Sequence, residues 1–290
     1  MSPPTKRGAL PWLLATLLGA CGESPAPARD LQIEASYQIA PGTERYECYR
    51  KNIDRDVFVT GLATSAALGV HHQVLGITDP SMPEGTAPCD SVGTSIAESW
   101  LFVASSSPRA FAMPANVAYH IPAGSQLVLQ MHLFNVSERA IASTVSVELT
   151  GIAEAEVVEL AQLVEAGTLQ IDLPPGQATT IEGTCTLPRD VQVFGLLPHM
   201  HGLGTRFRSW ISDAGTDTML YDDVFHGETQ PFESFAPVAM PEGATLHVEC
   251  NYFNGSGARV IYGASARDEM CYGFTYYYPA IDGHGPLCIK

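Results

Sequence analysis

The residues able to do chemistry in this chain are histidines and one methionine. His199-Met200-His201 lies between Pro198 and Gly202. On a strand, positions i and i+2 point to one face. Two imidazoles there make a bidentate metal platform, with Gly202 and Gly204 leaving room for a further ligand. His71-His72 is a second candidate. Adjacent strand residues point to opposite faces, so both reach one metal only at a bulge or a strand end, through different ring nitrogens. His132 closes the apolar run from Gln126. Alone, such a histidine reads as a satisfied core residue, and its weight comes from company. Met270 stands in Asp268-Glu269-Met270-Cys271. Methionine ordinarily fills cores, but as a ligand its soft thioether favours copper, particularly Cu(I), over zinc or iron.

Strands must position these groups. Val57-Phe58-Val59, Gln126 to His132, Ser143 to Leu149 and Leu246 to Cys250 are short and β-rich, and several alternate. Pro122-Ala123-Gly124, Pro174-Pro175-Gly176 and Pro241-Glu242-Gly243 each precede such a run, as sandwich turns do. The best helical stretch, Ala153 to Val164, also reads as a strand pair. The expectation is an all-β chain. Its 290 residues suit two sandwiches better than one, with domains at 31–152 and 153–290.

Lys6 and Arg7, then an apolar run to Leu18, form an export signal too short to span a bilayer. Leu18-Gly19-Ala20-Cys21 resembles a bacterial lipobox. Residues 1–21 therefore read as a lipoprotein signal with Cys21 lipidated, and 22–30 as a flexible tether. This places the protein outside the cytoplasm, lipid-anchored on the periplasmic or outer face of a bacterial membrane. Loss of Lys6 and Arg7 takes the net charge from −16 to −18, which argues against nucleic acid as a partner. Cys48, Cys89, Cys185, Cys250, Cys271 and Cys288 remain, an even set that suggests three disulfides in an oxidising compartment, with the pairing open. No CxxC pair is present, which excludes a zinc ribbon or thioredoxin-type site.

Taken in order, these pieces resemble the copper type II ascorbate-dependent monooxygenases. The resemblance rests on His71-His72, Gln130-Met131-His132, His199 and His201 before a glycine, Glu269-Met270-Cys271 and Tyr277-Tyr278-Pro279, and runs from about Tyr46 to Cys288. It implies two tandem antiparallel, jelly-roll-like β-sandwiches with a cleft between them, and two coppers per chain. It assigns His199, His201 and Met270 to the oxygen-activating copper. His71, His72 and His132 fall to a copper that stores and delivers an electron. The two sites are expected to face each other across an open, wet cleft. Dioxygen, a small organic substrate, and ascorbate or another small reductant are the implied partners. The resemblance also implies the pairings Cys48–Cys89, Cys185–Cys288 and Cys250–Cys271. His120, His226, His247 and His284 match no ligand of the family and read as structural or surface residues.

The departures bear on substrate. Where the peptidylglycine branch holds a carboxylate with an arginine and a tyrosine, this chain has Leu197 and Phe274. A peptide C-terminal glycine is therefore not the expected substrate, and a neutral or cationic one is. Two rivals stand beside this reading. One is a non-catalytic copper-binding exported lipoprotein. The other is a zinc hydrolase on the first three histidines, against which Met270 speaks.

Overall fold

Alternation builds the first strands. In Leu31–Ile39, Ile33, Ala35, Tyr37 and Ile39 are buried while Gln32, Glu34, Ser36 and Gln38 are exposed, which is the period-two pattern of a half-buried strand. A computed structural model describes residues 1, 30–65, 67–89, 99–105, 109–227, 230, 232–281 and 287–289. The signal segment, Cys21, most of the tether and His284 lie outside the described residues.

The first half holds β1 (Leu31–Ile39), β2 (Thr43–Asn52), β3 (Val57–Thr64), β4 (Val70–Thr78), β5 (Gly85–Pro88), β6 (Ser99–Ser105), β7 (Arg109–Ala112), β8 (Val117–Ile121), β9 (Gln126–Asn135) and β10 (Ile141–Ile152). They form two sheets, ordered β1-β10-β3-β8, with β7 also on β3, and β5-β2-β9-β4-β6. Where Ala153 to Val164 admitted a helix, the chain makes one 3₁₀ turn at Glu154–Glu156 and returns to strand.

The second half holds β11 (Glu159–Leu160), β12 (Gln162–Thr168), β13 (Asp172–Leu173), β14 (Ala178–Thr186), β15 (Val191–His199), β16 (Gly204–Asp213), β17 (Thr216–Val224), β18 (Glu233–Met240), β19 (Thr245–Phe253), β20 (Val260–Ile261), β21 (Cys271–Tyr278) and β22 (Leu287–Ile289). Its sheets run β18-β15-β21-β12-β22 and β14-β19-β16-β17, with a small β13-β20 pair. Short β11 crosses to the first half and pairs in parallel with β8. The chain is thus all-β, two tandem sandwiches whose strand pairs are antiparallel apart from β8-β11 and β12-β22.

The sheet of β15, β21 and β12 is covered on both faces. From it Leu163, Phe194, Leu197, Tyr272, Phe274 and Tyr276 join the core of the first sandwich. Val164, Ala166, Val193, Leu196, Cys271 and Tyr277 join the core of the second. This explains why β12 and most of β21 are buried without a break. A bulge at Phe194 shifts the phase, so Phe194 and Leu197, three apart, share a face. Ring contacts seal the junction, with Phe111 stacked on Phe232 at 4.6 Å and edge-on to Tyr276 at 5.5 Å.

Three disulfides tie the strands. Cys48–Cys89 joins β2 to the segment after β5, Cys185–Cys288 joins β14 to β22, and Cys250–Cys271 joins β19 to β21.

Candidate metal centre

The first histidine group is made by a break in strand register. β4 and β9 pair with Val70 opposite Leu133 and His72 opposite His132, leaving His71 as the extra residue of a bulge. The bulge turns His71 to the side of its neighbour, so one nitrogen from each of His71, His72 and His132 lies within 4.8 Å of the others. The Nδ1 atoms of His71 and His72 are 3.2 Å apart.

The second group departs from the strand-pair expectation. β15 ends at His199, and His201 lies past the strand end. The two rings come together at 5.3 Å, nearly perpendicular, because the chain turns there. Met200 between them is fully buried in the second core. Met270 immediately precedes β21, whose first residue, Cys271, is bound to Cys250. With His72, His199, Trp100, Glu165, Tyr272 and Phe274, it lines a cavity of about 30 Å³. Phe274 reaches this cavity; Leu197, directly opposite it on β15, packs into the core instead.

The two groups do not face each other across open water. His71 meets His201 ring to ring at 5.9 Å, and His72 meets His199 at 5.7 Å. His72, His132, His199 and His201 are at most 3% exposed and Met270 5%, while His71 is half-buried. Closure brings apolar faces of the two sandwiches together at the junction described above, and that burial favours contact over a wet gap. The opening that remains, of about 780 Å³, lies beside His71 and His201 and is rimmed by Leu68, Phe134 and Val136.

Outer hydrogen bonds fix which nitrogen each ring turns inward. His132 Nε2 donates to Glu44 Oε1 at 2.9 Å, His199 Nδ1 to Gln230 Oε1 at 2.8 Å, and His201 Nδ1 to the Asp268 carbonyl at 2.9 Å. The opposite nitrogens of His132 and His201, Nδ1 and Nε2, are buried with no hydrogen-bond partner. Buried imidazole nitrogens left without a partner are costly unless something binds them. Burial and mutual repulsion push His71 down to about 4 and hold His72 well below its ordinary value. Burial and His201 push His199 down to about 3. Burial also lowers His132 and His201. All five rings are therefore neutral near pH 7, the form that ligates metal. Five neutral nitrogens and one thioether fit copper, and the outer partners are of the kind that orient ligands in metal sites.

Sequence reasoning missed those partners. Glu44, two positions before Tyr46 on β2, carries no signal beyond alternation. Gln230 is fully buried, where glutamine is seldom found. Glu269 accepts from the N–H groups of His201 at 2.9 Å and Leu203 at 2.6 Å, which fixes the turn carrying His201. Glu165 had a readable signal, a charge inside the apolar run Leu163 to Gly167. Its Oε1 is buried without a partner, and burial pushes its carboxyl up to about 7. Of the other histidines, His120 pairs with Asp56 at 2.7 Å and His247 stacks on Trp210 at 4.7 Å, both away from the centre.

Comparison with known proteins bears on this geometry. Residues 153–289 match the family described as copper type II ascorbate-dependent monooxygenase, C-terminal domain. DBH-like monooxygenase protein 1 of Gallus gallus is 32% identical over 142 residues, covering 42% of this chain. The Homo sapiens protein of that name gives the same figures. The match spans 23% of each of these relatives. Among solved structures, the major capsid protein P2 of bacteriophage PM2 aligns at 10% identity, with a TM-score of 0.37, over 88% of this chain and 99% of that one.

Proposed function

We propose, from the premise that residues 153–289 place this chain in the copper type II ascorbate-dependent monooxygenase family, that it hydroxylates a C–H bond of a small organic substrate. The observation that carries the reading is the donor set: His71, His72 and His132 clustered, with His199 and His201 packed against them and the thioether of Met270 on one cavity with His199. His199, His201 and Met270 would hold the copper that activates dioxygen, and His71, His72 and His132 the one that supplies the second electron. Bound copper supplies one-electron chemistry toward dioxygen and the substrate C–H bond.

The chain's own residues supply orientation, dryness and selection. Glu44, Gln230 and the Asp268 carbonyl hold the ring tautomers, and Glu269 holds the turn under His201. Trp100, Tyr272 and Phe274 keep water from Met270. Phe274 offers nothing to a substrate carboxylate in that cavity, where Leu197 has no part, whereas Glu165 offers an unpaired acceptor. A substrate ammonium seated there would give Glu165 the partner it lacks, so a cationic or neutral substrate is preferred over a peptidylglycine. The cavity beside Met270 has a volume of only about 30 Å³, so a substrate fits there only after the side chains or elements around it move.

Domain limits of 31–152 and 153–290, export through residues 1–21 and anchoring at Cys21 belong to the same proposal; the three disulfides support an oxidising compartment. The test is reconstitution with copper, then oxygen uptake with ascorbate over phenethylamines, small aromatics and acylated or amidated glycines. Two coppers per chain and uptake matched by hydroxylated product are expected. Copper binding with no turnover on any substrate would make this a binding lipoprotein, and zinc alone would make the three-histidine site a hydrolase.

A further inference from the structure

β2 reaches from the first sandwich into the loop that carries Met270. Glu44 and Tyr46 sit two apart on this strand and so share a face. Glu44 Oε1 accepts the Nε2–H of His132 at 2.9 Å and also the N–H of Ala266 at 3.1 Å. Tyr46 stacks on the His132 ring at 4.3 Å, and its hydroxyl donates to the Ala264 carbonyl at 2.7 Å. Ala264 and Ala266 belong to the loop whose Asp268 carbonyl orients His201 and whose end is Met270. The partners are 218 and 222 residues apart in sequence.

We propose that Glu44 is a positioning residue shared by both histidine groups, and that with Tyr46 it latches the Ala264–Met270 loop of the second sandwich to His132 of the first. One oxygen carries two duties. When the sandwiches part, the Ala266 N–H must find water, and the carboxylate keeps only His132. When they close, the same oxygen fixes the ring of one group and the loop of the other. The ring contacts of 5.7 and 5.9 Å between the groups are held in place from this side. The ligand roles of His132, His201 and Met270 rest on the proposed function; the latch itself rests on the contacts of the protein alone.

The metal-free protein supplies the test. Deuterium exchange is followed on peptides covering 264–270 in wild type, Glu44→Ala, Glu44→Gln and Tyr46→Phe. The Gln variant loses the charge but keeps an acceptor oxygen that can serve both donors, so it should exchange much more slowly than the Ala variant. The Ala variant should exchange about ten- to a hundredfold faster than wild type there, as loss of a hydrogen bond to a charged acceptor implies. Tyr46→Phe should fall between. In copper-loaded protein, the Cu(II)–Cu(II) separation read by pulsed dipolar EPR should lengthen in Glu44→Ala and not in Glu44→Gln. Unchanged exchange at 264–270 in Glu44→Ala overturns the latch. So does faster exchange spread evenly over both sandwiches, which marks general loosening, or a Glu44→Gln variant as fast as Glu44→Ala. Because exchange is read without metal, failure of the oxygenase reading leaves this result standing, and failure of the latch leaves the oxygenase reading standing.

Discussion

The two histidine groups differ most in what stands behind the rings. His132 in the first group is backed by a carboxylate, Glu44. In the second group, His199 is backed by the Gln230 amide and His201 by a main-chain carbonyl, both neutral. A carboxylate behind an imidazole raises its basicity and suits the more highly charged metal ion. Neutral acceptors and a thioether suit Cu(I). The same scaffold thus gives the two histidine groups different character through the acceptor that stands outside each ring.

Removing the thioether breaks the comparison most severely. Met270→Ala should reduce turnover to background while the three-histidine group keeps its copper; metal analysis alongside oxygen uptake checks this, and loss of both coppers contradicts it.

Acidity separates the regions next. Burial pushes Glu165 and Glu269 in the second region up to about 7 from 4.5, although main-chain N–H groups partly offset this for Glu269. A carboxyl raised on folding favours the folded state below its unfolded value, and that advantage is lost as pH rises through 7, on the order of 3 kcal/mol each. Burial alone would raise Glu44 in the first region, but the Ala266 N–H and His132 bring it below its ordinary value, so its contribution appears at higher pH and is lost as pH falls. Denaturant unfolding of metal-free protein from pH 4 to 8 should show Glu165→Gln gaining on wild type as pH rises, and Glu44→Gln losing. Parallel curves for both variants would erase the distinction.

The Cys250–Cys271 bridge closes 21 residues and fixes the strand that follows Met270. Its removal should cost about 3 kcal/mol of stability and weaken copper at the second group before the first, as calorimetry with copper titration would show. Equal weakening at both groups contradicts a local role.

The outer acceptors come after. Gln230→Ala should lower copper affinity at the second group about 10- to 100-fold and Glu44→Ala at the first. Competitive titration reads each site, and crossed effects larger than direct ones reverse the assignment. Smallest is His120→Gln, whose partner Asp56 is exposed; copper content and melting temperature should not move.

What was legible in the sequence follows from range. His71 and His72 pointed to a bulge or a strand end, because adjacent residues of a regular strand cannot serve one site, and β4 has the bulge. Strand alternation was local and readable, as in β1. His199-Met200-His201 misled on geometry, since a motif of three residues does not reveal where its strand stops. Glu44 was invisible because its second partner lies 222 residues away. The closeness of the two groups was equally hidden, being set by the fit of two finished sandwiches rather than by any one segment.

The sheet of β15, β21 and β12 has a consequence for biosynthesis. The first sandwich leaves the ribosome before any of that sheet exists, so residues such as Phe111 and Tyr119 must wait for Phe232 and Tyr276. During synthesis the half-made chain carries a sticky apolar wall, the state most open to capture by chaperones or by another nascent copy. Either half produced alone should inherit that wall and the insolubility that comes with it.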